Sequence, residues 1–168
     1  MDIQENKEKI IKLLESTKKE GIENLINYLE KNNFFISKAS FSYHGNYEGG
    51  LAEHCLSIYN LYNKLYSNLF KLNFEEIKNE IIIASFLHDL CKLDYGLSGG
   101  HASRSLKIIG DFIILNPLEE NLIKYHMGMY KLDKEYSYGE LEYVFNDKRI
   151  KLFYFCDDLS AQFLEVKK

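Results

Sequence analysis

The chain has 168 residues, 46% hydrophobic and 27% charged, the proportions of one globular domain large enough to bury a core without disulfide staples. A net charge of -4 sets up no global basic field for a nucleic-acid backbone. The longest apolar run falls far short of the ~18 residues of a membrane span, and Met1-Asp2-Ile3-Gln4-Glu5 is no secretory leader, so a cytoplasmic protein with no membrane partner is expected.

A single proline and 13 tyrosines point to a helical chain whose aromatics serve both core and pocket. Ile10, Ile11, Leu13 and Leu14, then Ile22, Leu25, Ile26 and Leu29, predict two amphipathic helices broken near Gly21. They carry no cluster of site-type residues. Residues 1–32 therefore read as a helical extension packed on the rest, serving as scaffold, lid or homodimer surface. From Phe34 to Glu48 no helical period holds, which predicts a loop containing His44. Gly49-Gly50 suits a helix start where the backbone must pack close to another element. The next helix is expected from about Gly50 to Leu69, with Leu51, Cys55, Ile58, Tyr62, Leu65 and Leu69 on one stripe and His54 in its first turns.

Asn73 is placed to cap the following helix, with Glu75 and Glu76 in its first turn. The apolar run from Ile81 to Leu87 reads as a buried helix that delivers His88 and Asp89 side by side, with Lys92 three residues beyond Asp89. Burying a carboxylate without a partner costs several kcal/mol or forces its protonation, and a divalent cation is the usual remedy. The loop Asp94 to Gly100 precedes His101, which opens a helix reaching about Ile114. Asn116-Pro117 is a strong start signal for a helix ending in Tyr125-His126-Met127-Gly128. A polar loop and a short helix near Glu140 lead to a last helix, about Asp147 to Glu165, containing Cys156-Asp157-Asp158-Leu159. Nothing predicts a strand, an internal repeat or a linker. The expected fold is all-α, with residues 33–168 forming one helical bundle.

All five histidines, His44, His54, His88, His101 and His126, fall at or near predicted helix ends, or in the loop just before one. Any one of them alone is best read as an ordinary core or surface residue. Together with Asp89 and Asp157, on successive helices, they match the way helical bundles build internal metal sites. Cys55, Cys91 and Cys156 have no CxxC spacing, which excludes a zinc ribbon and a disulfide scaffold. Each lies within two residues of His54, Asp89 or Asp157, and packing beside the site is preferred to ligation.

These residues resemble the HD-domain superfamily of metal-dependent phosphohydrolases, whose pattern H…HD…D extends to H…HD…H…H…D in dinuclear members. The carriers are Gly49-Gly50-Leu51-Ala52-Glu53-His54, Leu87-His88-Asp89-Leu90-Cys91-Lys92, Gly100-His101-Ala102-Ser103-Arg104-Ser105, Tyr125-His126-Met127-Gly128 and Cys156-Asp157-Asp158-Leu159-Ser160. The likeness spans roughly Tyr43 to Ala161. It implies one or two metal ions between the helices of the bundle. His54, His88, Asp89 and Asp157 match the ligands of a first ion. Asp89 would bridge to a second, with His101 and His126 as its further ligands. Asp158 competes with Asp157, and the family's placement of its last aspartate two residues before leucine favours Asp157. Lys92 matches the lysine that faces substrate phosphate, Cys91 stands where glycine is frequent, and His44 matches a histidine upstream of the Gly-Gly that serves as ligand, phosphate contact, base or packing.

Imidazoles and carboxylates without thiolate suit iron, manganese, nickel, cobalt or zinc and single out none of them. Bound water would be acidified to a pKa of about 7, with Lys92 and Arg104 neutralising charge on the phosphoryl group; a solvated helix position is an equal reading for Arg104. Tyr43, Tyr47, Tyr95 and Tyr130 flank the ligands and can stack on a base, although packing is the commoner role. The resemblance thus implies a phosphohydrolase in which metal-bound hydroxide attacks a phosphate ester, with Asp89 and Lys92 as catalytic residues and Lys92, Arg104 and His44 on substrate. The implied partner is a nucleotide, or a short nucleic acid by likeness to HD-type 3′–5′ exoribonucleases around Gly49 to His54. A dinuclear-iron HD-type oxygenase and a non-catalytic nucleotide-binding module are the alternatives.

Overall fold

A computed structural model describes residues 2–40, 44–93 and 99–164. Among them the chain forms eight α-helices and no strand beyond one isolated bridge between Leu132 and Tyr136, the all-α fold expected. The helices are α1 (Ile3–Ser16), α2 (Ile22–Lys31), α3 (Gly50–Phe70), α4 (Lys78–Leu87), α5 (His101–Gly110), α6 (Pro117–Lys124), α7 (Tyr138–Val144) and α8 (Lys148–Leu159).

The bundle is organised around α3 and α4. In α4 every residue from Ile81 to Leu87 is buried, because an apolar run with no polar face has no side to turn to water. Each fully buried Ile or Leu contributes roughly 1.5–3 kcal/mol, and this surplus anchors the costly polar pair, His88 and Asp89, that follows. Helix α3 packs on α1, α4 and α8. Its start is set by two glycines. Gly49 caps it with φ +83°, a left-handed backbone that favours glycine, and a Cβ on Gly50 would run into the Gly45 carbonyl. The close approach expected from Gly-Gly is thus the fold of the 45–50 turn back onto the helix start.

Helices α1 and α2 place Ile10, Leu14, Ile22, Leu25, Ile26 and Leu29 in the same core as α3 and α4. Between them, Lys19 Nζ pairs with the buried Glu119 at 2.8 Å and donates to the Ile114 carbonyl at 2.9 Å, tying this corner to the start of α6. Glu119 also closes the capping box with Asn116, as the Asn-Pro signal predicts.

Three boundaries differ from expectation. Asn73 caps a single 3₁₀ turn, Phe74–Glu76, and α4 begins only at Lys78, because Ile77 leaves the helical region at φ -126°. Helix α5 stops at Gly110 rather than near Ile114, where the Phe112 amide tightens back onto the Ile109 carbonyl. The α period of α8 ends at Leu159, and Ser160–Leu164 continue as a π turn, a local widening often found beside functional sites.

Candidate metal centre

Two helix C-termini create the first feature of the site. His88 caps the end of α4 and His126 lies in the turn after α6. Each follows a last helical turn whose carbonyls have no intrahelical donor. His88 Nδ1 donates to the Ser85 carbonyl at 3.0 Å, and His126 Nδ1 donates to the Ile123 carbonyl at 2.6 Å. A carbonyl can only accept, so Nδ1 of each ring carries the donated proton, and in the neutral form of either ring Nε2 carries a lone pair.

Those lone pairs face a carboxylate. His88 Nε2 lies 3.4 Å from Asp89 Oδ2 and His126 Nε2 lies 3.8 Å from Asp89 Oδ1. Both nitrogens are buried, and neither has a hydrogen-bond partner among the described residues. Two acceptors turned toward one another in a dry interior repel unless a proton or a cation lies between them. The donor set itself therefore fits a cation.

The other residues divide between the two oxygens of Asp89. Toward Oδ2 lie His54 Nε2, at 3.8 Å, and Lys92 Nζ, at 2.5 Å. Behind His54 stands Asp157 from α8, 3.2 Å from the same Nε2. Toward Oδ1 lies His101 Nε2 at 2.6 Å. Ligand atoms of His54, His88 and Asp157 come within 4.8 Å of one another, as do those of His88, Asp89 and His126. All six residues assigned as ligands from the sequence thus converge on one point, from α3, the α4 end, α5, the α6 end and α8. Of the two adjacent aspartates, Asp157 faces His54, whereas Asp158 accepts from the Tyr130 hydroxyl at 2.9 Å.

Electrostatics follow from this packing. Burial raises the Asp89 carboxyl, but Lys92, His88 and His101 outweigh it and hold Asp89 well below the usual carboxylate range. Burial lowers His101, yet its bonds to Asp89 and Cys91 raise it to about 10. Burial and the neighbouring His88 push His126 down to about 3, so it stays neutral. For Asp157, burial is overcome chiefly by its hydrogen bond with His54, leaving it at about 2. Two ionised carboxylates therefore stand among imidazoles, as a divalent ion requires.

The centre opens on two adjoining cavities that share His44, Met127 and Asp157. One, about 310 Å³, is lined by Lys92 and Arg104 together with His54, Asp89 and His101. Arg104 Nε is buried with no hydrogen-bond partner among the described residues. The other, about 450 Å³, is walled by Tyr130, Tyr154, Ala161 and Gln162. His44 stacks obliquely near His54, ring centroids 4.9 Å apart, and so belongs to the site's rim. Of the tyrosines singled out from sequence, Tyr130 lines the cleft, Tyr47 is half-buried outside both cavities, and Tyr43 and Tyr95 lie outside the described residues, as do 94–98 of the loop before His101.

Three participants, Tyr154, Gln162 and Glu135, had no sequence signal. Tyr154 and Gln162 enter the cleft only because α8 and its π turn pass beside Met127. Glu135 accepts the His101 backbone N–H at 3.1 Å and is itself held by Lys131 at 2.8 Å. Cys91, read as packing, is fully buried with a sulfur that groups with Asp89 and His101. No family model, curated protein or solved structure matched this chain.

Proposed function

We propose that this protein is a metal-dependent phosphohydrolase of the HD type, acting on the phosphate ester of a nucleotide or short oligonucleotide. The observation that carries the reading is the division of histidines between the two oxygens of Asp89, beside a cleft wall that presents Lys92 and Arg104. Asp89, His54, His88 and Asp157 would hold one ion, and Asp89, His101 and His126 a second. Bound divalent ions supply an activated water and neutralise phosphoryl charge.

The remaining chemistry belongs to the chain. Lys92 and Arg104 take the non-bridging oxygens, a planar guanidinium and a compact ammonium meeting the phosphoryl group from one wall. Burial of Asp89 at 4% exposure and of His88 at 0% keeps bulk water from competing for these charges. The larger cavity, with Tyr130, Tyr154 and Gln162, accommodates the organic part of the ester. No helix among the described residues is long and apolar enough to cross a membrane.

The test is elemental analysis of protein purified without chelator, then a phosphate-release screen on nucleotides with the found metal restored. About two ions per chain with release is the expected result. One ion with release would reduce His101 and His126 to substrate or supporting roles. Iron with oxygen consumption and no release from any ester would replace this reading with the oxygenase, and tight nucleotide binding without turnover in any metal would replace it with a binding module.

A further inference from the structure

We propose that the Cys91 thiolate is itself a ligand at the Asp89 Oδ1 subsite, making that subsite selective for thiophilic ions such as zinc, cobalt or iron over manganese. The inference rests on the metal-centre reading above and adds a donor type to it.

Cys91 sits in the 3₁₀ turn Leu90–Lys92 that follows His88 and Asp89. Its side chain is wholly buried. The turn is pinned to α5, because the Cys91 amide donates to Ser105 Oγ at 3.0 Å. Ser105 lies one helical turn beyond His101 on the same face. That bond sets the thiol beside the His101 ring. The sulfur, a His101 ring nitrogen and an Asp89 oxygen lie within 4.8 Å of one another. Two ligands of one tetrahedral ion, at roughly 2.0–2.3 Å each, are separated by about 3.3–3.8 Å. The cluster would close by up to about 1 Å to form a coordination shell.

A second observation points at the same place independently. His126 Nε2, buried and without a partner among the described residues, is turned toward the Oδ1 atom that His101 contacts. Asp89, His101, His126 and Cys91 together supply one oxygen, two nitrogens and one sulfur. Such a set favours zinc, cobalt or iron, whereas oxygen-rich sites suit manganese and magnesium. The Oδ2 subsite, with its two imidazoles and two carboxylates, has no thiol among these donors. The two positions therefore differ in softness. On binding, the Cys91 proton and the His101 proton pass to solvent, so loading releases acid.

The experiment is titration of chelator-treated whole protein with cobalt(II), read by absorption. A thiolate-to-cobalt charge-transfer band in the near ultraviolet is expected alongside visible ligand-field bands. In Cys91→Ser the charge-transfer band is lost and the ligand-field bands persist, while Cys55→Ser and Cys156→Ser keep both. Ligand-field bands without any charge-transfer band in the unaltered protein would overturn the proposal and leave the metal centre standing. No cobalt bands at all would overturn the centre and the proposal together. Should Cys91→Ser fail to fold, X-ray absorption at the zinc edge of the unaltered protein decides: one sulfur at about 2.3 Å is expected, and a shell of only nitrogen and oxygen refutes it.

Discussion

His126 turns Nε2 to within 3.8 Å of Asp89 Oδ1 while its Nδ1 donates to the Ile123 carbonyl at 2.6 Å. The second bond fixes the tautomer and so makes the first an encounter of two acceptors. His88 repeats the arrangement with Ser85 on the other oxygen. One carboxylate thus joins two half-sites.

Replacing Asp89 removes the shared ligand. Asp89→Ala is expected to strip at least one ion and abolish hydrolysis, as measured by elemental analysis and phosphate release on the same preparation. Full activity in this variant would end the metal-centre reading.

The two half-sites are expected to separate in single variants. His126→Ala loses one ion selectively and retains the ion held by His54, His88 and Asp157. An unchanged metal count in His126→Ala would leave only the mononuclear version of the site.

Titration of the chelated protein should show a stability maximum near the ordinary histidine pKa of ~6.5. His126, held at about 3, stays neutral in the fold while the unfolded chain takes up a proton below ~6.5, so its contribution falls as pH drops from there toward 3. His101, raised to about 10, has the opposite sign: its contribution is complete below ~6.5 and is lost as pH rises toward 10. Asp157, at about 2, adds a loss only below the usual carboxylate range. Each group changes stability by at most about 1.4 kcal/mol per pH unit. Thermal midpoints measured in chelator from pH 5 to 9 should fall on both sides. A midpoint that rises steadily to pH 9 would contradict the His101–Asp89 pairing.

Phe153 is fully buried, with its ring edge-on to His88 at 6.0 Å and tilted against Tyr62 at 6.2 Å. Phe153→Ala removes a large side chain that supports a ligand ring and should cost about 3–5 kcal/mol. Denaturant unfolding checks this directly. A loss below about 1 kcal/mol would mean that the core collapses easily beneath the centre.

By itself the sequence determined the helical architecture, because long apolar stripes at 3.6-residue spacing and signals such as Asn116-Pro117 act locally. It also marked His54, His88, Asp89, His101, His126 and Asp157 as a set, since helix ends carry chemistry-bearing residues in a recognisable order. Only the tertiary structure decided how that set is divided, with Oδ1 facing His101 and His126 and Oδ2 facing His54 and His88. It also shows Asp157, the aspartate favoured from the sequence pattern, facing His54 while Asp158 turns to Tyr130. Glu135 entered the site, and Tyr154 and Gln162 entered the cleft, through contacts between segments far apart in the chain. Helix formation is a property of neighbours in sequence, whereas a site is a property of neighbours in space, and packing of α4, α5, α6 and α8 around α3 converts one into the other.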